Sequence, residues 1–187
     1  MLCVTICFGQ TRWKFRSDNY LGFSAGELGS YGLVQTVNGL YRGPWFLGLG
    51  TGLDYYRFRS VPVFLSLTRD IPVAPKRGGF FLTLNGGINL PWYQQNALPY
   101  GVVSDKLYPG VWWNAGLGYR WKLSEHSNKA LLFTAGYGVK RLSEHQKGAP
   151  GCIGCLMYNS YMLADNPQTY DYDYVNRVWL FGVGFQF

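Results

Sequence analysis

The stretch Trp45-Phe46-Leu47-Gly48-Leu49-Gly50-Thr51-Gly52-Leu53-Asp54-Tyr55-Tyr56 decides the fold. Successive side chains of a strand point to opposite faces. One face therefore carries Trp45, Leu47, Leu49, Thr51, Leu53 and Tyr55, and the other Phe46, Gly48, Gly50, Gly52, Asp54 and Tyr56. A soluble barrel would put its large apolar residues inside and its polar ones in water. Here the set poor in bulk is glycine and aspartate, which suits a narrow interior better than a solvent face. The stretch reads as a strand whose bulky side looks outward, into an apolar medium.

The same division recurs downstream. Phe80, Leu82, Leu84, Gly86, Ile88, Leu90 and Trp92 oppose Phe81, Thr83, Asn85, Gly87 and Asn89, and Val111, Trp113, Ala115, Leu117, Tyr119 and Trp121 oppose Trp112, Asn114, Gly116, Gly118 and Arg120. Leu131, Phe133, Ala135, Tyr137 and Val139 oppose Leu132, Thr134, Gly136, Gly138 and Lys140. Trp179, Phe181, Val183, Phe185 and Phe187 oppose Leu180, Gly182, Gly184 and Gln186. Three less regular segments, Tyr20–Leu28, Leu33–Tyr41 and Val61–Arg69, complete a set of eight. An even number is what single-chain bacterial outer-membrane barrels require. The expected fold is all-β: an eight-stranded antiparallel up-and-down transmembrane β-barrel.

Composition agrees. Of 187 residues only 14% are charged and 18% are aromatic, with 25 glycines, whereas about a quarter of a typical soluble domain is charged. The longest uncharged segment, Gly78–Ser104, is broken by glycine, proline and amides and cannot be a membrane helix. Every backbone polar group must be satisfied inside hydrocarbon, so a spanning chain without such helices closes its strands into a barrel. Residues 1–10 hold an apolar run, Leu2 to Phe8, ending in Gly9-Gln10. They read as the remnant of an export signal lacking its basic start, leaving 11–187 as one barrel domain. The net charge of +7 is spread over separate turns and strand ends rather than one stripe, which argues against nucleic acid and suits contact with anionic lipid or lipopolysaccharide headgroups.

Loop lengths and aromatic positions give independent checks. With the chain entering on the periplasmic side, Arg42-Gly43-Pro44, Asp70–Arg77 and Lys122–Asn128 are short periplasmic turns. The long segments Tyr93–Tyr108 and Leu142–Asp173 fall outside, the usual asymmetry. Trp45, Phe80, Trp121 and Phe187 fall at one end of their strands, and Tyr55, Trp92, Trp113 and Trp179 at the other. At about 3.4 Å rise per residue and a tilt near 40°, eight to ten residues climb roughly 21–26 Å, the height of a barrel's apolar band. Two aromatic girdles at the lipid interfaces are expected, with both termini periplasmic.

Eight strands leave an interior that side chains fill, so no diffusion pore is expected. The candidate lumen polar network is Glu27, Asp54, Asn85, Asn114, Arg120 and Lys140, with Arg57 and Arg59 near the outer rim. Buried charges need partners; the expected pairs join Glu27 or Asp54 to Arg57, Arg59 or Lys140.

Gly48 to Tyr56, followed by Val61-Pro62-Val63-Phe64-Leu65, resembles the small outer-membrane β-barrel family common in Bacteroidota. Phe187, with Phe185 and Val183 alternating behind it, is similar to the terminal signal read by the barrel-assembly machinery. The resemblance covers roughly Tyr20 to Phe187. It implies an eight-stranded fold and an outer-membrane location, and it brings no shared catalytic residues.

Few constellations suggest chemistry, and no catalytic, cofactor or metal residue is assigned. Cys152 and Cys155 in the longest outer loop favour a short-span disulfide over free thiols or a metal pair. Ser143, Glu144 and His145 raise the question of a lipid A-modifying enzyme, but adjacent strand residues point to opposite faces. His126 has no evident partner. The tyrosine-rich Met157–Asp173 segment could form a recognition surface for a glycan or protein, or fold over the mouth as a plug; Asp171-x-Asp173 falls short of a calcium ligand set. The leading function is a structural or surface-interaction barrel acting through its outer loops. The alternatives are a lipid A-modifying enzyme and a soluble lipocalin-like ligand-binding barrel.

Overall fold

A computed structural model describes residues 12–71, 78–92, 102–124, 129–148 and 168–187. Their regular structure is all strand: β1 (Lys14–Gly26), β2 (Gly29–Arg42), β3 (Trp45–Asp54), β4 (Ser60–Ile71), β5 (Gly78–Pro91), β6 (Val102–Tyr108), β7 (Gly110–Lys122), β8 (Ala130–Gly148) and β9 (Gln168–Gln186). Every pairing is antiparallel. Eight of the strands follow one another around a closed wall, β1-β2-β3-β4-β5-β7-β8-β9, with β9 pairing back onto β1. Ser17 and Phe187 exchange backbone hydrogen bonds at one end of this seam. We call it the terminal end and the opposite one the distal end.

The predicted alternation holds across the wall. Leu47, Leu49, Leu82, Leu84 and Leu117 all lie exposed on the outer surface, Leu49 at 64%. Phe46, Asp54, Phe81, Asn85, Trp112, Asn114 and Lys140 are buried within. This orientation is the inverse of a soluble ligand-carrying barrel. The interior is more aromatic than glycine and amides alone would make it: Val37, Phe46, Phe64 and Trp112 form an apolar plug, with Phe64 and Trp112 rings 4.7 Å apart. Glycines accommodate it. A Cβ on Gly50 would lie 2.3 Å from the Phe64 ring, and one on Gly118 would lie 2.1 Å from Phe81.

Strand boundaries depart from expectation in three places. The first strand runs Lys14–Gly26 rather than Tyr20–Leu28, and the second begins at Gly29 rather than Leu33, so the first turn is Glu27-Leu28. Beyond the distal rim, β8 and β9 continue as paired arms through Gly148 and Gln168, where a loop was expected from Leu142 to Asp173. Within the expected loop Tyr93–Tyr108, β6 pairs with β8. It continues the line of β7 after a break at Pro109, which has no N–H to offer the ladder. In both cases the strands stand clear of the apolar belt, so nothing forces the apolar and polar alternation that marks a strand.

Candidate functional site

Two charge clusters occupy the lumen, one toward each end. At the distal end, Lys140 Nζ lies 3.1 Å from Asp54 Oδ2 and donates to Ser60 Oγ at 2.8 Å and to the Tyr56 and Phe58 carbonyls at 2.9 and 3.3 Å. Asp54 Oδ1 accepts the Tyr56 backbone N–H at 2.8 Å. The ammonium thus ties β8 to the β3–β4 turn, where Arg57 takes a left-handed φ of 60°. Local geometry favours this turn, because the Asp54 carboxylate holds the chain two residues on, as aspartates in turns do.

At the terminal end, Arg16 pairs with Asp18 at 2.8 Å and Arg120 with Asp70 at 2.6 Å. Arg16 lies 3.8 Å over the Phe46 ring, and Arg120 lies 5.2 Å over Phe81. Between the clusters a polar chain crosses three strands: Thr68 to Thr83 at 3.3 Å, Thr83 to Asn85 at 3.5 Å, and Asn85 Nδ2 to Asn114 Oδ1 at 2.7 Å. A cavity of about 60 Å³ remains beside it, lined by Tyr20, Gln35, Thr68, Thr83, Asn85 and Asn114 among others. That is room for a few waters.

Of the six residues expected in the lumen, Asp54, Asn85, Asn114 and Lys140 are buried there, and Arg120 is mostly buried. Glu27 is not. It sits exposed in the Glu27-Leu28 turn, because β1 ends two residues earlier than the sequence pattern suggested. Arg57 and Arg59 stay at the rim without a lumen carboxylate among the described residues, at 3.7 Å over Tyr174 and 5.7 Å over Tyr55. Sequence reasoning missed Arg16, Asp18 and Asp70, having begun the first strand at Tyr20 and assigned Asp70 to a turn. The spacing Arg16-x-Asp18, in phase with inward Ser24, was the available signal.

The eight aromatics expected at the wall ends, Trp45, Tyr55, Phe80, Trp92, Trp113, Trp121, Trp179 and Phe187, all project from the outer surface. Several have partners there: Arg69 lies 5.0 Å over Trp45, Phe80 packs on Tyr119 at 5.2 Å and Trp179 on Tyr137 at 5.3 Å.

On the distal arms, Ser143 and His145 share one face and Glu144 the other. Ser143 Oγ donates to Asp173 Oδ1 at 2.6 Å, and His145 Nδ1 meets Asp171 Oδ1 at 2.5 Å. Each group is engaged by its own carboxylate, so the serine hydroxyl points its proton at Asp173 rather than at an imidazole base, which nucleophilic catalysis would need. These four residues also lie well beyond the rim. Lys140 is at the rim, and three to five further residues climb on the order of 8–13 Å. On the inner face, Tyr174 donates to Glu144 at 2.9 Å. Partial burial, reinforced by that bond, raises the Tyr174 phenol above its ordinary pKa. Residues 1–10, His126, and Cys152 with Cys155 lie outside the described residues.

The wall architecture is shared with solved bacterial barrels. The N-terminal β-barrel domain of Pseudomonas aeruginosa OprF superposes with a TM-score of 0.50 at 12% identity, covering 94% of this chain and all of that one. Neisserial surface protein A gives 0.52 at 10% identity, covering 93% of this chain and 95% of that one. The outer membrane protein OprG from Pseudomonas aeruginosa gives 0.56 at 14%, covering 94% and 95%. No protein-family model matches the sequence, and no curated protein matches it. What these likenesses establish is the fold: a closed eight-stranded antiparallel barrel of the outer-membrane type.

Proposed function

We propose that this chain is a Gram-negative outer-membrane barrel that does not conduct, and that it acts at the cell surface through its distal arms. The observation that carries the reading is the filled lumen. Lys140, Asp54 and Tyr56 obstruct the distal end, Phe46, Phe81, Arg16 and Arg120 the terminal end, and Phe64 and Trp112 the middle. With the apolar set turned outward, the wall suits acyl chains, and its two rows of end aromatics suit the interfaces on either side. Termini at the periplasmic face and arms outside follow the usual asymmetry of such barrels. The exposed Asp171 and Asp173, with Tyr172 beside them, give the arms a polar and aromatic surface fit for a glycan or protein partner. Lipopolysaccharide headgroups would meet the rim arginines Arg57 and Arg59. An affiliation with Bacteroidota barrels has the support of residues 48–65 and the terminal Phe187 alone.

Reconstitution into planar bilayers tests this. Folded, inserted protein should give no stepwise conductance of the porin kind, and on intact cells the arms should be accessible to added protease. Sustained ohmic channels from the folded barrel would overturn the closed-lumen reading. A soluble, detergent-independent monomer would overturn the membrane reading.

A further inference from the structure

The outer wall is apolar on five strands and not on the other three. Within the belt, β4, β5, β7, β8 and β9 present Val61, Val63, Leu65 and Leu67; Leu82, Leu84, Gly86 and Ile88; Val111, Trp113, Ala115 and Leu117; Leu131, Phe133 and Ala135; Phe181, Val183 and Phe185. The adjacent β1, β2 and β3 place Asn19, Thr36, Asn38 and Thr51 in the same outward phase. Asn19 lies between buried Ser17 and Leu21 in its phase, with Phe15 beyond Ser17; Phe15 and Leu21 are exposed at 63% and 69%. Thr36 and Asn38 lie between Val34 and Leu40, and Thr51 lies between Leu49 and Leu53. None of the four is at an end of its strand.

Register makes them one patch. Asn19 pairs with Thr36 and Thr36 with Thr51, a row across three strands, while Asn38 lies on the neighbouring outward rung between Ser17 and Leu49. Bonds within the patch satisfy it only in part. Asn19 Nδ2 donates to Ser17 Oγ and Asn38 Nδ2 to Thr36 Oγ1, each at 3.3 Å. Each amide thus keeps a second N–H and its carbonyl oxygen, and the Thr51 hydroxyl has no side-chain partner among the described residues. Asn19, Thr36 and Thr51 also line an open groove of 610 Å³ on the outside of the barrel, together with Leu21, Leu53 and Phe185.

Acyl chains can fill such a groove but cannot answer an amide, and unmatched polar groups in hydrocarbon are costly. We propose that this wall is the interface through which two copies of the chain pair side by side in the membrane. An amide both donates and accepts, so the patch is complementary to itself. Copies inserted in the same direction are related by a two-fold axis along the membrane normal, which makes the contact isologous and brings each patch to its own depth on the other barrel. The inference rests on the membrane-spanning reading of the barrel.

Sedimentation equilibrium of the full chain in density-matched detergent tests it, with folding checked by heat-modifiable gel migration and insertion by protection in liposomes. Wild type should sediment as two barrels. The variant Asn19→Leu/Thr36→Val/Asn38→Leu/Thr51→Val should sediment as one at the same concentration, a weakening well above tenfold. Should that variant fold poorly, the isosteric Thr51→Val serves. Hydrogen bonds measured within membranes average about 0.6 kcal/mol, so about a threefold weakening is expected for each one lost. A wild type that inserts yet stays single over the whole concentration range overturns the pairing. So does a dimer that survives the quadruple substitution, or mild extraction that returns a different chain bound to this wall in place of a second copy. Failure of wild type to insert at all sinks the membrane reading itself, a result separate from the others.

Discussion

Lys140 on β8 reaches across the lumen to Asp54 at the end of β3, placing its ammonium 3.1 Å from the carboxylate while three further acceptors surround it. Both side chains are nearly inaccessible, at 1% and 6%. Removing one member leaves the other charge buried and unpaired. Lys140→Met should therefore cost about 3–5 kcal/mol, and Asp54→Leu/Lys140→Met less than the sum of its parts. Urea unfolding followed by tryptophan fluorescence reads both, and additive losses would show that the two groups act separately.

Gly118 leaves its space to Phe81. A methyl there would lie 2.1 Å from the ring, so Gly118→Ala should destabilise by about 1–3 kcal/mol through overpacking. Phe81→Leu should restore much of that loss in the double variant. Gly86, which has nothing within 4 Å of its would-be Cβ, should accept alanine within about 0.5 kcal/mol. Equal effects at the two glycines would contradict the inward and outward assignment.

The β2–β3 turn depends on one dihedral. Gly43 has a φ of 59° ahead of Pro44, a conformation that costs an L-residue roughly 1–2 kcal/mol. Gly43→Ala should lower stability by about that amount without changing the m-value, and a neutral result would place the turn elsewhere.

Outward orientation can be tested with a charge. Leu117 projects from the middle of β7, where lysine at the midplane of a membrane barrel costs about 2–4 kcal/mol. Leu117→Lys should show that loss in lipid, whereas Asn114→Leu on the inner face should cost about 1–3 kcal/mol by stranding the Asn85 amide. If Leu117→Lys is silent in bilayers, this face does not meet lipid.

How much the sequence revealed depended on contrast between the two faces. β3, β5, β7, β8 and β9 were legible because their outer residues, Thr51 apart, are mostly apolar while glycines, amides and single charges punctuate their inner faces. Asp54 and Lys140 followed from that phase. β1 and β2 were placed late or loosely for a physical reason: their outer faces carry Asn19, Thr36 and Asn38, and the inner face of β1 carries Arg16 and Asp18, so both sides read as polar. That blurring cost the Arg16–Asp18 pair and misplaced Glu27. The arms around Ser143 to His145 and Asp171 to Asp173 were opaque on similar grounds, since polar side chains occupy both faces, buried Glu144 on one and Ser143 and His145 on the other, and leave no apolar alternation to detect. Cross-strand matches such as Ser143 with Asp173 depend on register, which no single strand encodes.

The seam between β1 and β9 joins the two extremes of the described chain. Until β9 has been synthesised, β1 has an unsatisfied edge and the described strands before β9 cannot complete the ring. A chain stopped before Gln168 would keep two open edges, so it should be held by a chaperone or clump rather than persist as a smaller barrel. Surveillance of incomplete products is thereby built into the topology: closure can occur only once β9 has been made.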